Sequence, residues 1–251
     1  CKIGDISGAE RLAKIAIEDG TKLILFPEYF TYDKFSLEIT EITLKFLRTM
    51  SKEFDVTVSG NAIIKGEEGI FNRAFIFKGG ELIGYQDKVH PTRTERLYGI
   101  KCGEKLNIFD LDGVKLAVLV CADILYPELC RVAALKGAEI ALNPVVSFKK
   151  SELPGDEYRY CLYFTRAFDN CYAIVKAGGF GYTFTGSRAA GRSLIATFDG
   201  ILAKSKSEDD EDVLTAEIDI GRIRKYRKLN YSLHDRNVKA YYDLLSSSFN
   251  C

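Results

Sequence analysis

Short apolar runs separated by turn residues dominate the chain. Lys22–Phe26, Val114–Cys121 and Ala138–Leu142 are almost continuously apolar, the pattern of strands buried on both faces. Val56–Ile64, Phe71–Phe77, Leu82–Tyr85, Leu106–Leu111, Cys171–Ala177, Ser193–Phe198, Ile201–Lys204 and Val213–Ile218 read as further strands. Gly79-Gly80, Asp112-Gly113 and Asp199-Gly200 stand between neighbouring runs and predict three hairpins. Helical spacing fills the gaps. Ser7-Gly8-Ala9-Glu10 reads as a capping box, Leu12, Ile15 and Ala16 follow on one face, and Gly20 is the stop. A second helix fits Leu37 to Phe54, a third opens at Pro127-Glu128 and stops at Gly137, and a fourth runs from about Asp156 to Asn170. Strands and helices alternate with hairpins interspersed, which predicts an α/β protein with a mixed sheet or a pair of sheets. No internal repeat, low-complexity tract or Pro/Gly-rich linker interrupts the pattern, so residues 1–251 read as one domain.

Composition narrows the function classes. Thirty-five basic residues balance 35 acidic ones, so no basic face for nucleic acid or an anionic membrane is expected. The longest apolar runs have strand length, far short of a membrane span, and no secretory pattern opens the chain. Seven cysteines form no C-x-x-C pair and, with only His90 and His234, no cluster of zinc spacing. Neither a disulfide framework nor a metal is expected, and a reducing cytoplasm is the natural compartment.

Two predicted strands end in side chains that can react. Leu23–Phe26 leads through Pro27 into Glu28, and Val118–Val120 leads into Cys121. The carboxyl ends of strands in α/β sheets are where loops gather ligands, so a carboxylate and a thiol delivered there can form a base–nucleophile pair. A free thiol has a pKa near ~8.5 and attacks only as thiolate. A neighbouring base must take its proton, or a cation must stabilise its charge. Singly, each residue has a plainer reading: Cys121 as a buried core thiol, Glu28 as an exposed strand-end carboxylate, Lys88 as a surface lysine. Cys130, Cys161 and Cys171 fall on helix or strand faces and read as structural, and the charged run Lys204–Asp212 reads as a solvated loop.

Together the blocks make a pattern. Phe26-Pro27-Glu28, Asp87-Lys88-Val89-His90-Pro91, and Val120-Cys121-Ala122-Asp123 with Tyr126-Pro127-Glu128 resemble the nitrilase superfamily of carbon–nitrogen hydrolases. The resemblance continues in order through Phe71-Asn72-Arg73-Ala74, Gly137-Ala138-Glu139 with Asn143-Pro144, Arg166-Ala167-Phe168-Asp169-Asn170, Gly191-Arg192-Ser193 before Asp199-Gly200, and His234-Asp235-Arg236 through Tyr241. It implies a four-layer α-β-β-α sandwich with two mixed β-sheets and a cofactor-free Glu–Lys–Cys site. Glu28 would be the general base, Cys121 the nucleophile that holds a thioester, and Lys88 with the backbone N–H of Ala122 the oxyanion stabilisers. Glu95 matches a second glutamate that orients the lysine. Tyr29, Asn143 and Ser147 are the candidates for contact with substrate.

The chain also departs from the family. Ala122 replaces the usual aromatic residue after the cysteine, and Leu125 replaces a common arginine. The expected first strand before Gly4-Asp5 is absent, and the only methionine is Met50 while residue 1 is a cysteine, so roughly ten further apolar residues are expected upstream in the native protein. The expected activity is ammonia release from a small linear amide or carbamoyl compound, with Asp123 favouring amides over nitriles. A non-catalytic relative and an acyltransferase on the same fold are the alternatives. A homodimer or larger even assembly is expected. The resemblance implies pairing through outer helices, and Leu129, Val132, Ala133 and Leu135 make the helix after Cys121 apolar over much of its circumference.

Overall fold

The structure is a computed structural model that describes residues 1–148 and 156–246. It opens with α1 (Ile6–Glu18), β1 (Leu23–Leu25) and α2 (Glu38–Glu53), followed by β2 (Thr57–Gly66), β3 (Gly69–Lys78) and β4 (Glu81–Asp87). After the short α3 (Arg93–Leu97) come β5 (Ile108–Leu111), β6 (Val114–Val118), a single 3-10 turn (Cys121–Leu125), α4 (Pro127–Leu135), β7 (Ile140–Val145) and β8 (Ser147–Phe148). The remainder is α5 (Asp156–Asn170), β9 (Ala173–Gly178), β10 (Gly181–Tyr182), β11 (Arg188–Ala190), β12 (Leu194–Thr197), β13 (Gly200–Lys204), and the helices α6 (Ile220–Arg227), α7 (Tyr231–His234) and α8 (Tyr242–Ser246).

Two mixed sheets carry the architecture. One has the order β1-β2-β3-β4, with β1 parallel to β2 and the other pairs antiparallel. The other has the order β13-β12-β9-β7-β6-β5, parallel through β6, β7 and β9 and antiparallel at both ends. A small sheet, β10-β11-β8, stands apart from them.

Side-chain alternation along the strands makes the layers. In β3, Phe75 and Phe77 pack with Leu47 and Met50 of α2, while Ala74 and Ile76 share a core with Leu116 and Val118 of β6. In β6, Leu116 and Val118 face that inter-sheet core. Ala117, and Leu119 just beyond, pack with Cys130 and Ala133 of α4 and Tyr163 and Ala167 of α5. Fully burying a side chain such as Phe or Leu stabilises by about 1.5–3 kcal/mol, and a one-residue slip would exchange every inward position for an outward one. Register is therefore fixed on both faces. The result, α1 and α2, sheet, sheet, then α4 and α5, bears out the four-layer sandwich.

Most predicted elements fall within a residue or two of their observed bounds, and three points differ. Helix α1 is capped by Asp5, whose carboxylate accepts from Gly8 N at 2.9 Å, so Ser7 and Glu10 lie inside the helix and form no capping box. The ten-pair hairpin β2–β3, turning at Gly66–Gly69, carries no two-residue turn signature and was not expected. Val213–Ile218 forms no strand. It lies across a groove of about 690 Å³ from β1, whose outer edge pairs with no strand among the described residues. Apolar character cannot make a strand without a partner ladder. The Gly79-Gly80 hairpin is as expected: both residues have positive φ (57° and 85°), which its tight turn requires and only glycine adopts without strain. Among the described residues no helix is long and apolar enough to cross a membrane.

Candidate active site

Three strand ends deliver the candidate residues to one place. Glu28 follows β1 through Phe26 and Pro27, Lys88 is the first residue after β4, and Cys121 follows β6 by three residues. Lys88 N continues the sheet pairing by donating to Asn72 O of β3 at 2.9 Å, which fixes where its side chain leaves the sheet. Cys121 starts the 3-10 turn with φ +49°, and Tyr29, directly after Glu28, has φ +54°. Left-handed backbone at a non-glycine residue is a strained conformation of order 1–3 kcal/mol that the surroundings must hold in place.

The surroundings of Cys121 do hold it. Asn143 of β7 donates from Nδ2 to Leu119 O and, at 3.3 Å, to Cys121 O, and its own Oδ1 accepts from Tyr163 of α5 at 3.0 Å. Asp123 is wholly buried. Its carboxylate accepts from Val120 N at 3.0 Å, Val89 N at 3.3 Å and His90 N at 2.8 Å.

Glu28 and Lys88 are each only 1% exposed. The Lys88 ammonium donates to Glu28 Oε1 at 2.9 Å and to Glu95 Oε2 at 2.7 Å, and so sits between two carboxylates. Val146 links Glu28 to Cys121: its N–H donates to Glu28 Oε2 at 3.1 Å while its carbonyl accepts from Cys121 Sγ at 3.6 Å. Glu95 reaches the site from α3, where it also forms a capping box with Thr92; Glu95 Oε2 accepts from Thr92 N at 2.7 Å. One carboxylate thus starts the helix and fixes the lysine.

Burial and charge act against each other here. Desolvation pushes Glu28 above the usual carboxylate range, and the Lys88 ammonium offsets it only in part. Glu95 is also pushed up by burial, but Lys88, the Tyr29 hydroxyl and Thr92 N together hold it down at about 2. Burial works to lower Lys88, yet Glu28, Cys121 and Glu95 keep it well above an ordinary lysine, so it is an ammonium at all working pH values. The Cys121 thiol is pushed strongly up, by desolvation first and then by the Glu28 carboxylate. Sulfur therefore keeps its proton until a base removes it. The arrangement joins a protonated thiol, a carboxylate linked to it through the backbone of Val146, and a fixed cation able to stabilise negative charge.

The structure brings Glu28, Lys88, Glu95 and Cys121 together, with Ala122 at the start of the turn beside the sulfur. The polar atoms of two candidate substrate contacts are already engaged within the protein. Tyr29 is buried, and its hydroxyl donates to Glu95 Oε1 at 2.6 Å and accepts from Asn72. Both ends of the Asn143 amide brace the Cys121 turn, as above. Ser147 lies buried on β8, paired with Ala190 of β11. Two side chains have a place that sequence reading missed: Asn72, and Asp123, which entered there only as favouring amides over nitriles and here clamps the Cys121 turn. An amide at a position of β3 that should be apolar, and a carboxylate inside a core turn, are the signals that mark such residues. Among the described residues no three His, Cys, Asp or Glu side chains are grouped so that they could hold a metal ion.

Residues 4–228 match the family model described as carbon-nitrogen hydrolase. A nitrilase of Pyrococcus abyssi is 29% identical over 94% of this chain and 92% of its own length. The crystal structure of a carbon-nitrogen hydrolase from Helicobacter pylori G27 superposes with a TM-score of 0.85 at 24% identity, over 98% of this chain and 95% of that one. An amidase of Nesterenkonia sp. AN1, solved as a glutamate-to-glutamine mutant carrying acrylamide added at its active-site cysteine, superposes with a TM-score of 0.77 at 20% identity, over 97% of this chain and 96% of that one.

Proposed function

The chain belongs to the carbon–nitrogen hydrolase family, and from that premise we propose that it hydrolyses the amide bond of a small molecule through a thioester on Cys121, releasing ammonia. Glu28 takes the thiol proton as sulfur attacks the amide carbon. The oxyanion that forms is stabilised by the Lys88 ammonium and the backbone N–H of Ala122. As the tetrahedral intermediate collapses, the C–N bond breaks and Glu28 returns its proton to the leaving nitrogen, so ammonia departs and the acyl group stays on sulfur. Glu28 then deprotonates a water that attacks the thioester. A second oxyanion collapses, the C–S bond breaks, and the acid leaves as sulfur recovers the proton.

The single observation that carries this reading is the buried Glu28 carboxylate, which accepts from the Lys88 ammonium at 2.9 Å and is joined to the Cys121 thiol through the backbone of Val146. A structural ion pair would need no thiol. The Nesterenkonia amidase, with its active-site cysteine open to acrylamide, supports the same role for the cysteine here. A screen of short ω-amides, carbamoyl amines and nitriles with ammonia detection tests the reading. Steady ammonia release from at least one amide is expected. Its absence, or release only when another acyl acceptor replaces water, would favour a non-catalytic or acyl-transferring protein.

A further inference from the structure

Asn72 lies at the centre of the carboxylate cluster. Its side-chain Nδ2 is 2.8 Å from Glu28 Oε1, 2.8 Å from the Tyr29 hydroxyl and 3.0 Å from Glu95 Oε1. The Tyr29 hydroxyl spends its one hydrogen on Glu95 Oε1, so toward Asn72 it can only accept. Three acceptors therefore converge on one amide group, and only an NH2 pointing at them is compatible with the geometry. Asn61 holds that orientation, because its Nδ2 donates to Asn72 Oδ1 at 2.9 Å. Ile63 of β2 pairs with Asn72, so Asn61 is the diagonal neighbour on the same face of the hairpin. Both asparagines are fully buried, and Asn61 Oδ1 has no protein partner among the described residues, so the relay runs one way, from Asn61 through Asn72 to the carboxylates.

We infer that Asn72, held by Asn61, is a positioning residue that keeps Glu28 ionised as the base by standing between the Glu28 and Glu95 carboxylates. This rests on the hydrolase reading above. One ammonium lies between two carboxylates, and the two Oε1 atoms face the same gap. Like-charged carboxylates that share a gap take up a proton between them, and one of the pair then titrates far above its usual range. A neutral donor in the gap bonds to the charged forms of both and needs no proton. Without it, Glu28 would be the carboxylate to protonate, because Glu95 keeps the Tyr29 and Thr92 donors while Glu28 is left with Lys88 and Val146. A protonated Glu28 cannot accept the thiol proton.

The test uses the full-length chain with the substitutions Asn72→Leu and Asn61→Leu. For each, kcat/KM against pH is measured on the best amide, and the rate of Cys121 alkylation by iodoacetamide against pH is measured in parallel. Asn72→Leu is expected to move the acidic limb of both profiles upward by about one pH unit, so that activity at a fixed pH on that limb falls about tenfold. KM should change less than kcat. Asn61→Leu, which touches neither carboxylate, should shift the limb in the same direction by less. A limb that stays in place in both variants, with only a lower melting temperature or a uniformly lower rate, overturns the inference. If the wild type releases no ammonia from any amide, the hydrolase reading fails, and the alkylation profiles still decide the role of Asn72.

Discussion

His90 donates its backbone N–H to Asp123 Oδ1 at 2.8 Å, and its ring Nδ1 lies 2.9 Å from the same oxygen. The segment carrying Lys88 is thereby tied to the turn carrying Cys121, and the His90 ring stacks on Tyr126 at 3.5 Å to complete the joint. Asp123→Ala should leave the buried Val120 N–H and the partly buried Val89 and His90 N–H groups without their acceptor. At ~1–3 kcal/mol for a buried group and less for the two that water can reach, a loss of about 2–3 kcal/mol is expected in denaturant unfolding. Turnover should fall by about a hundredfold, because displacing the cation from the nucleophile by an ångström costs on that order.

Cys121→Ala and Cys121→Ser should each reduce ammonia release by at least about a thousandfold, since a nucleophile acting together with a base and an oxyanion site is not replaced by either alone. The fold does not depend on the thiol, so the melting temperature should stay within a few degrees. Substantial turnover by the purified Ala variant would exclude Cys121 as nucleophile.

Lys88→Met keeps the length of the side chain and removes its charge. Two buried carboxylates then face each other without a cation, an arrangement that costs about 3–5 kcal/mol when one partner of a buried pair is lost. Turnover should vanish, and the variant should be more stable near pH 5 than near pH 8, because protonating one carboxyl relieves the repulsion. A pH-independent melting temperature would contradict the two-carboxylate geometry.

Glu95 makes a specific contribution to acid stability. Its folded pKa, held at about 2, lies below the unfolded carboxylate value, so its stabilisation is present above about pH 5 and is lost as pH falls toward 2. Glu95→Gln should therefore flatten the stability–pH curve between about pH 5 and pH 2 while lowering stability at neutral pH. Unfolding midpoints measured across that range give the slope directly. An unchanged slope would show that Glu95 is not ionised by its partners.

A homodimer through the outer helices is expected. Leu125, Val132 and Leu135 in and beside α4, and Phe168 of α5, are apolar and exposed on the layer outside the six-stranded sheet. Size-exclusion chromatography with light scattering at micromolar concentration should give twice the chain mass or an even multiple, and Val132→Asp with Leu135→Asp should shift it toward one. A wild-type monomer would refute the assembly.

The sequence by itself determined which stretches are strands and which faces are apolar, because the alternation at Ala74–Phe77 and Leu116–Leu119 is a local property with a period of two. It also placed Glu28 and Cys121 at strand ends, and the order of the motif blocks, with Lys88 in one of them, identified the family. It did not show that Asn72 and Tyr29 serve the carboxylates, nor that Asp123 and Asn143 serve the Cys121 turn. Those roles depend mostly on partners 20 to 66 positions away that meet only when strands pair, helices pack and the two sheets stack. Nor could it decide Val213–Ile218, whose pattern suits a strand but whose pairing depends on a neighbouring edge. Periodicity is written within a segment. A hydrogen-bond partner across the sandwich, or the lack of one, exists only once the layers close.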